Sequence, residues 1–577
     1  MLREYMERAE RGESLWLPML RDRFAREPGA GRMIFRLTGG NAGAREYLIP
    51  LPFVSDAADP GLTDKERGFL VRYLAATLYN LLSAFSAQEV VLYYEEGGEQ
   101  ESLTRALLRE FEEDPGLGKA RRIACRLYGG LWIRALPLSE HKAGLGADPA
   151  DARPPEAGKL AALLNRRIQS AKERNCLGLD VGGSDIKLAM SRHGKLLYTK
   201  EIDWNPAACT TADEIIGPIL ALTLEANDRM RGFGETLDAV GISFPDVVIG
   251  DRIVGGETPK TMGMRNNPRI DYETEFAKLG ALREEILARL PRGASVKIAN
   301  DGNMAAFTAA MELSAQTCPD TRENRIDACD SPARGNAGSG RETEALRYGI
   351  LAHTLGTDLG TGWLRADGTI PAIPLEMYDL LLDLGDFPSL SLPPRDLRST
   401  RNENSGMAGV RRYLGQAAAY RLAWKLDPAL LSGFVREENG APVILTTPVD
   451  LRKPCLEHLM KSAAEDNSAG EVFRRIGENL AAVVREMDWI FGATPPARFL
   501  FGRFAKSPRC FALMREGYER MERRFCAAAG GEGRMVEWFA ADESLANTPL
   551  MRQLAESEKV TVAQFGQAIG AIYYALG

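Results

Sequence analysis

The chain has 577 residues, 45% of them apolar and 26% charged, a balance that fits a globular protein with ample core and about two to four domains or lobes. A formal net charge of -7 argues against a nucleic-acid-binding surface as the main function. No run approaches the roughly 20 apolar residues that span a bilayer, and the charged opening segment lacks the apolar core of a secretory signal. Eight cysteines without a CxxC pair point to reduced thiols in a cytoplasm, and four histidines without metal spacing point away from zinc.

Residues 1–158 read as an N-terminal α/β extension ending in a linker. Met33 to Leu37 and Glu46 to Pro52 are strand-like, which disfavours a helix-turn-helix with basic recognition residues. Leu70, Tyr73, Leu74, Leu78, Leu81 and Leu82 give the helix Phe69 to Phe85 a wide apolar face that must be buried, and a strand follows at Val90 to Tyr94. Lys142 to Gly158 carries turn formers and no apolar period, the composition of a linker.

A first lobe is placed at 159–313, with a strand hairpin at Cys176 to Asp180 and Lys187 to Met190, a helix at Thr211 to Arg231, a strand at Asp238 to Phe244 and a helix at Gly302 to Leu313. Residues 314–347 are a flexible insertion, because Cys318 to Glu344 offers little to bury and reads as mobile and protease-sensitive. A second lobe is placed at 348–577, with strands at Tyr348 to Leu355, Gly362 to Arg365 and Arg498 to Phe501, a helix at Gly470 to Ile490 and a long loop at Leu390 to Gly409. The mixed order implies an α/β protein. Tyr73-Leu74-Ala75-Ala76 and Asn479-Leu480-Ala481-Ala482 precede their strands at nearly the same separation, which leaves two readings open: a degenerate copy of half of the C-terminal domain, or the chance likeness of two α/β segments.

Chemistry concentrates at three places. In Leu177 to Lys187 an apolar strand delivers Asp180 at its end, followed by the turn Gly182-Gly183-Ser184. Glycines let the backbone N–H groups approach a phosphate, Ser184 adds a donor, Lys187 adds positive charge, and Asp180 is set to hold Mg²⁺ through water; an ordinary Asp/Gly turn is the competing reading. A second turn of this kind runs through Gly356, Thr357, Asp358, Gly360 and Gly362. Neither matches a Walker or dinucleotide fingerprint, and two phosphate-type hairpins suggest two lobes closing on one nucleotide. Between them Asn300 and Asp301 sit where a strand yields to a helix, aimed into a cleft. Asp301 is the candidate base for a substrate hydroxyl and Asn300 a partner for a neighbouring hydroxyl, against the alternative that both simply cap the helix.

The order DVGGSDIK, GISFPDVV, NDGNMAA, LGTDLGTG and a closing Gly566-Gln567-Ala568-Ile569-Gly570-Ala571 resembles the ROK family of repressors, open reading frames and kinases, within the actin-like, hexokinase-type ATPases. The resemblance covers about 400 residues, from Asn175 to the end. It implies two ribonuclease-H-like lobes, ATP and Mg²⁺ in the cleft, and phosphoryl transfer to a sugar hydroxyl. Asp301 then matches the catalytic Asp and Asn300 a sugar-binding Asn. Gly182, Gly183, Ser184 and Lys187 match the first phosphate loop, Gly356, Thr357, Gly360 and Gly362 the second. Ser243-Phe244-Pro245 is similar to the sugar-side loop of hexokinases, with Thr258, Lys260 and Thr261 as further partners.

The departures lie on the sugar side. The family's Glu-x-x-His becomes Glu376-Met377-Tyr378-Asp379, the zinc cluster has no counterpart, a sugar-contacting Glu falls near Arg411 or Arg412, and a Gly-Gly pair at the adenosine is replaced by Gly502-Arg503. The expected function is ATP-dependent phosphorylation of a sugar or sugar derivative. Two alternatives stay open: a non-catalytic sugar- or nucleotide-sensing regulator with a degenerate pocket, and an ATPase of this superfamily acting on a non-sugar substrate. The expected partners are a sugar-like small molecule and a second copy of the chain, with no nucleic acid and no membrane.

Overall fold

The computed structural model describes residues 2–39, 43–52, 62–113, 118–142, 158–256, 258–316, 345–385, 391–402, 405–492, 494–529, 536–540 and 546–577. Most of the predicted linker and the whole of Cys318 to Glu344 lie outside them. The first unit opens with helices α1 (Leu2–Glu10) and α2 (Leu17–Phe24). The hairpin β1 (Gly31–Thr38) and β2 (Ala44–Leu51) follows, then α3 (Asp64–Phe85), β3 (Glu89–Tyr94), α4 (Glu99–Glu113), α5 (Gly118–Tyr128) and β4 (Trp132–Pro137). Every second residue of β1 is buried, the alternation of a sheet packed on one face. Helix α3 starts at a Thr63–Glu66 capping box and buries Phe69, Tyr73, Leu74, Leu78, Leu81 and Leu82. By length and composition α3 could cross a bilayer, contrary to the sequence expectation that no such run exists, but 83% of its most apolar stretch is buried inside the protein.

The second unit comprises α6 (Lys159–Ala171), β5 (Asn175–Val181), β6 (Asp185–Arg192), β7 (Lys195–Asp203), α7 (Ala212–Arg231), β8 (Ala239–Phe244) and the short pair β9 (Val248–Ile249) and β10 (Arg252–Ile253). It continues through α8 (Met262–Arg265), α9 (Tyr272–Gly280), α10 (Leu282–Leu287), β11 (Ser295–Asn300) and α11 (Asp301–Gln316). Its sheet has the order β11-β8-β5-β6-β7. Strands β5, β6 and β7 form an antiparallel meander, and β8 and β11 run parallel to β5. This is the strand order of a ribonuclease-H-like lobe. Thr211 caps α7 by accepting from Glu214 N.

The third unit holds β12 (Gly349–Leu355), β13 (Leu359–Arg365), α12 (Gln416–Leu426), β14 (Val435–Glu438), β15 (Ala441–Ile444), α13 (Arg452–Ser462) and α14 (Ser468–Phe491). After it come β16 (Ala497–Gly502), α15 (Arg503–Lys506), α16 (Pro508–Ala529), β17 (Glu537–Ala540), α17 (Pro549–Ala555) and α18 (Val562–Tyr574). Its sheet, β13-β12-β16-β17, repeats the hairpin and two parallel strands of the preceding unit, without the third antiparallel strand among the described residues.

Two sequence expectations need correction. Helix α18, assigned with the second lobe, packs on β5, β6 and β8 of the first. It lies so close that a Cβ on Gly178 or Gly241 would fall 1.9 or 1.8 Å from the carbonyl oxygens of Ala568 and Ala571. The N-terminal unit is not a copy of the C-terminal half. Its sheet runs β2-β1-β3-β4, but β3 is antiparallel to β1, whereas the equivalent β16 is parallel to β12. A shared helix-then-strand spacing does not encode strand direction. The N-terminal unit instead merges its core with the second lobe, since Phe24, Tyr73, Leu78 and Leu81 join one apolar cluster with Leu351, Leu381, Phe473 and Met487.

Candidate active site

Strands β5, β8 and β11 are parallel and in register, Asp180 beside Ser243 and Phe244 beside Asn300, so their carboxyl ends deliver several polar residues to one edge. Opposite that edge stands the turn between β12 and β13. Together they enclose a cleft of about 1070 Å³, counting its open mouth, lined on one wall by Asp246, Thr258, Lys260, Asn300 and Asp301 and on the other by Gly356, Thr357, Asp358, Gly360, Thr361, Glu376, Tyr378 and Arg411. Residues more than 50 positions apart in sequence thus share one space.

Asp301 opens α11 and accepts from Gly302 N at 2.8 Å. Burial raises its pKa, opposed by the nearby Lys260 ammonium. Asp180 lies behind it. Burial pushes its carboxyl up to about 6, against the Ser243 hydroxyl and Lys187, with Asp301 and Asp185 adding to the rise. Asp246, not singled out in the sequence, is likewise pushed up to about 6 by burial, although its carboxylate accepts from Gly256 N and Val247 N at 2.8 and 2.7 Å. A carboxyl poised near neutrality is suited to proton exchange.

The predicted residues divide. Lys260 lines the cleft and makes no ion pair among the described residues. Asn300 lines it too, but its Oδ1 accepts from Gly302 N and Asn303 N and its Nδ2 donates to Asp246 O, so much of its capacity goes to capping. Ser243 does not reach the cleft. It is fully buried beside Asp180 and donates to Gln567 Oε1 at 3.0 Å, because its strand position turns it toward α18. Thr261 is consumed by the carbonyls of Gly256 and Thr258.

In the first turn, Ser184 donates to Asp185, and Lys187 pairs with Asp185 and, at 3.7 Å, with Glu201. Gly183 abuts the Lys260 stem, where a Cβ would sit 3.6 Å from Cε. In the second turn Gly356, Thr357 and Gly360 line the cleft, whereas Gly362 is a packing residue whose added Cβ would fall 1.7 Å from Gly302 O. Gly502, at φ 101°, lets β16 approach Leu355 O and is not among the cleft-lining residues.

On the far wall Glu376 and Asp379 are bridged by one buried ammonium, Lys119 of α5, at 2.6 and 2.5 Å, and Lys119 also bonds the Tyr378 hydroxyl. Burial alone would depress the Lys119 pKa, but Asp379, Glu376 and Tyr378 outweigh it and hold it well above its ordinary value. Arg411 faces the cleft and grips Asp358 with two bonds of 2.8 and 3.0 Å, while Arg412 turns away to the carbonyls of Pro394 and Asp396. Gln567 reaches the cleft from α18. Lys119, Asp246, Asp358 and Gln567 were given no site role from the sequence: Asp246, Asp358 and Gln567 stand inside the motifs quoted above without a chemistry of their own, nothing local marks Lys119, and only the fold brings the four together.

The Oγ1 atoms of Thr258 and Thr361 are buried, line the cleft and have no hydrogen-bond partner among the described residues. Two unsatisfied hydroxyls on facing walls fit a ligand rich in oxygen. No group of three or more metal-ligating side chains occurs among the described residues, so a cation here would rest on one or two carboxylates and on the nucleotide.

The fold sets two α/β lobes on either side of one cleft, and the solved structures that resemble it include ROK-family proteins. The chain is similar to a ROK glucokinase from Streptomyces griseus in complex with glucose and AMPPNP, at 18% identity over 70% of this chain and 99% of that one, TM-score 0.39. It is also similar to a ROK hexokinase from Thermus thermophilus, at 17% identity over 69% and 98%, TM-score 0.37. A ROK transcriptional regulator, a homologue of the E. coli MLC protein, matches at 13% identity over 70% and 81%, TM-score 0.40. No family model and no curated protein matches the sequence.

Proposed function

We propose that the protein is a divergent ROK-type kinase that transfers the terminal phosphoryl group of ATP to a hydroxyl of a sugar or sugar derivative. The observation that carries this reading is that Asp301 and Lys260 line the cleft opposite the open Gly356–Gly360 turn, with the Asp180 carboxyl close enough to Asp301 for the two to interact. MgATP, when bound, supplies the phosphoryl group and the cation that offsets its charge. The turns Gly182–Ser184 and Gly356–Gly360 would hold the phosphates through backbone N–H groups, and Asp180 would hold the cation through water.

Asp301 takes the proton of the acceptor hydroxyl, and its raised pKa makes that transfer less unfavourable. Lys260, beside it, favours the ionised form of the carboxyl against the effect of burial and offsets negative charge in the transition state. Glu376, Thr258 and the remaining N–H of Asn300 orient the acceptor. A second reading, a sugar- or nucleotide-sensing protein without turnover, is favoured by one observation: the Lys119 ammonium lies between Glu376 and Asp379, where the family motif has its Glu and His.

A thermal-shift screen of sugars with and without MgATP tests the reading, since a ligand that binds only the folded state raises the melting temperature by mass action. A sugar whose shift grows when MgATP is present is the expected result. Absence of any MgATP-dependent shift would contradict it.

A further inference from the structure

Helix α5 touches both walls of the cleft at its acceptor end. Toward the second lobe, Lys119 binds Glu376, Asp379 and the Tyr378 hydroxyl. Toward the first, Ile123 packs with Val247 and Val254, and Arg126 donates to the carbonyls of Val254 and Gly255, forms an ion pair with Glu273 at 2.7 Å and covers the Phe276 ring. Val247 follows Asp246 in sequence and Gly255 lies against the Asp246 carboxylate in space, and Asp246 and Glu376 face each other across the cleft.

Helix α3 adds a second grip on the same wall. Its final carbonyls, Ser83 O and Ala84 O, accept from the backbone N–H groups of Glu376 and Leu375, both at 3.1 Å. Leu375 sits at φ 55°, a conformation that a branched side chain adopts only when its surroundings impose it. Backbone and side chain of Glu376 are therefore both set by the N-terminal unit.

We propose, resting on the kinase reading above, that the N-terminal unit belongs to the active site, with Lys119 as a positioning residue for Glu376 and Tyr378 and α5 as a strap that fixes the aperture between the lobes. Lys119 occupies Oε2 of Glu376 and leaves Oε1 without a partner among the described residues, so the acceptor meets one oriented carboxylate oxygen. The same ammonium pairs with Asp379, whose side chain is 1% exposed, so one cation serves both carboxylates.

The test uses the full chain with spin labels on keto amino acids at Ala221 of α7 and Ala512 of α16, because Cys125 is exposed and would take a thiol label. Lobe-to-lobe distances are measured in the ligand-free wild type, in Lys119→Met, and in Arg126→Met, which cuts the other end of the strap. Lys119→Met with Asp379→Asn removes one of the two carboxylates that Lys119 bridges and replaces Lys119→Met should that variant fail to fold. A narrow wild-type distribution that broadens in the variants is expected; folded variants with the wild-type distribution would overturn the strap.

Glucose and MgATP kinetics form the second arm. Lys119→Met, or its double variant, is expected to raise KM for glucose about tenfold while KM for MgATP holds, a split that general destabilisation does not produce. An unchanged KM for glucose would overturn the positioning role. Should the wild type transfer nothing to glucose, that result counts against the proposed activity on this sugar, and the distance measurement alone decides the place of α5.

Discussion

Asp180 illustrates the tension between a folded site and a working one. Its carboxyl is raised from 3.8 to about 6 by burial, so the stability it leaves intact in acid is lost as pH rises through about 6, where the unfolded chain ionises more readily than the native one. Asp180→Asn is therefore expected to raise stability at pH 8 by up to about 3 kcal/mol, and the melting temperature with it, while weakening Mg²⁺-dependent phosphoryl transfer. Calorimetry at pH 5 and 8, with activity on one preparation, checks both signs. In the wild type, activity is expected to fall as pH drops below about 6 and Asp180 takes up its proton. At this scale the sequence spoke through local context: a carboxylate ending an apolar strand before a glycine turn. That context pointed to Asp180, Asp301 and Gly356, and it misled at Ser243, whose side chain belongs to the support of Asp180 and α18.

Among the elements, α11 carries the most. It begins with Asp301 in the cleft and carries, toward its far end, Glu312, which is 1% exposed and accepts from Thr548 N at 2.9 Å and Thr548 Oγ1 at 2.7 Å at the cap of α17. Burial lifts the Glu312 carboxyl from 4.5 to about 7, so its contribution to stability is full below about 4.5 and declines as pH rises through about 7. Glu312→Gln keeps an acceptor for the N–H groups and an amide for the hydroxyl. It is expected to flatten the pH dependence of the melting temperature between pH 4.5 and 7, and an unchanged slope would show that Glu312 does not titrate there.

The α2–α14 contact gives a second element-scale test. Arg21 and Glu486, with side chains 4% and 0% exposed, meet at 2.9 and 3.0 Å, and Asn80 also donates to Glu486. Arg21→Met strands a buried carboxylate and is expected to cost about 3–5 kcal/mol in denaturant unfolding. Helices and strands were legible because apolar spacing reports burial directly, as in α3 and α7. Strand direction was not, because no local pattern distinguishes β3, antiparallel to its neighbour, from β16, parallel to its own.

For the whole molecule, the order of motifs allowed two facing lobes to be foreseen, and the wide apolar face of the helix Phe69 to Phe85 allowed an N-terminal unit packed on them, whereas the lobe whose core it joins was visible only in three dimensions. Tyr73, Leu78 and Leu81 share a core with Leu381, Phe473 and Met487, and Glu376 depends on α3 and α5 for its seat. Expressing residues 159–577 alone is expected to give aggregated protein, because that apolar face would be left open to water; a soluble, fully active fragment would contradict the shared core. The central claim is that this cleft moves a phosphoryl group onto a hydroxyl with Asp301 as base. Its most direct test is transfer of labelled γ-phosphate from MgATP across a panel of sugars, in wild type and Asp301→Asn, with MgATP affinity measured in parallel. The account predicts transfer to at least one sugar by the wild type, loss in the variant of about 100-fold or more, and MgATP affinity largely unchanged. Equal turnover by the two proteins, or no transfer by the wild type to any sugar of the panel, would contradict it.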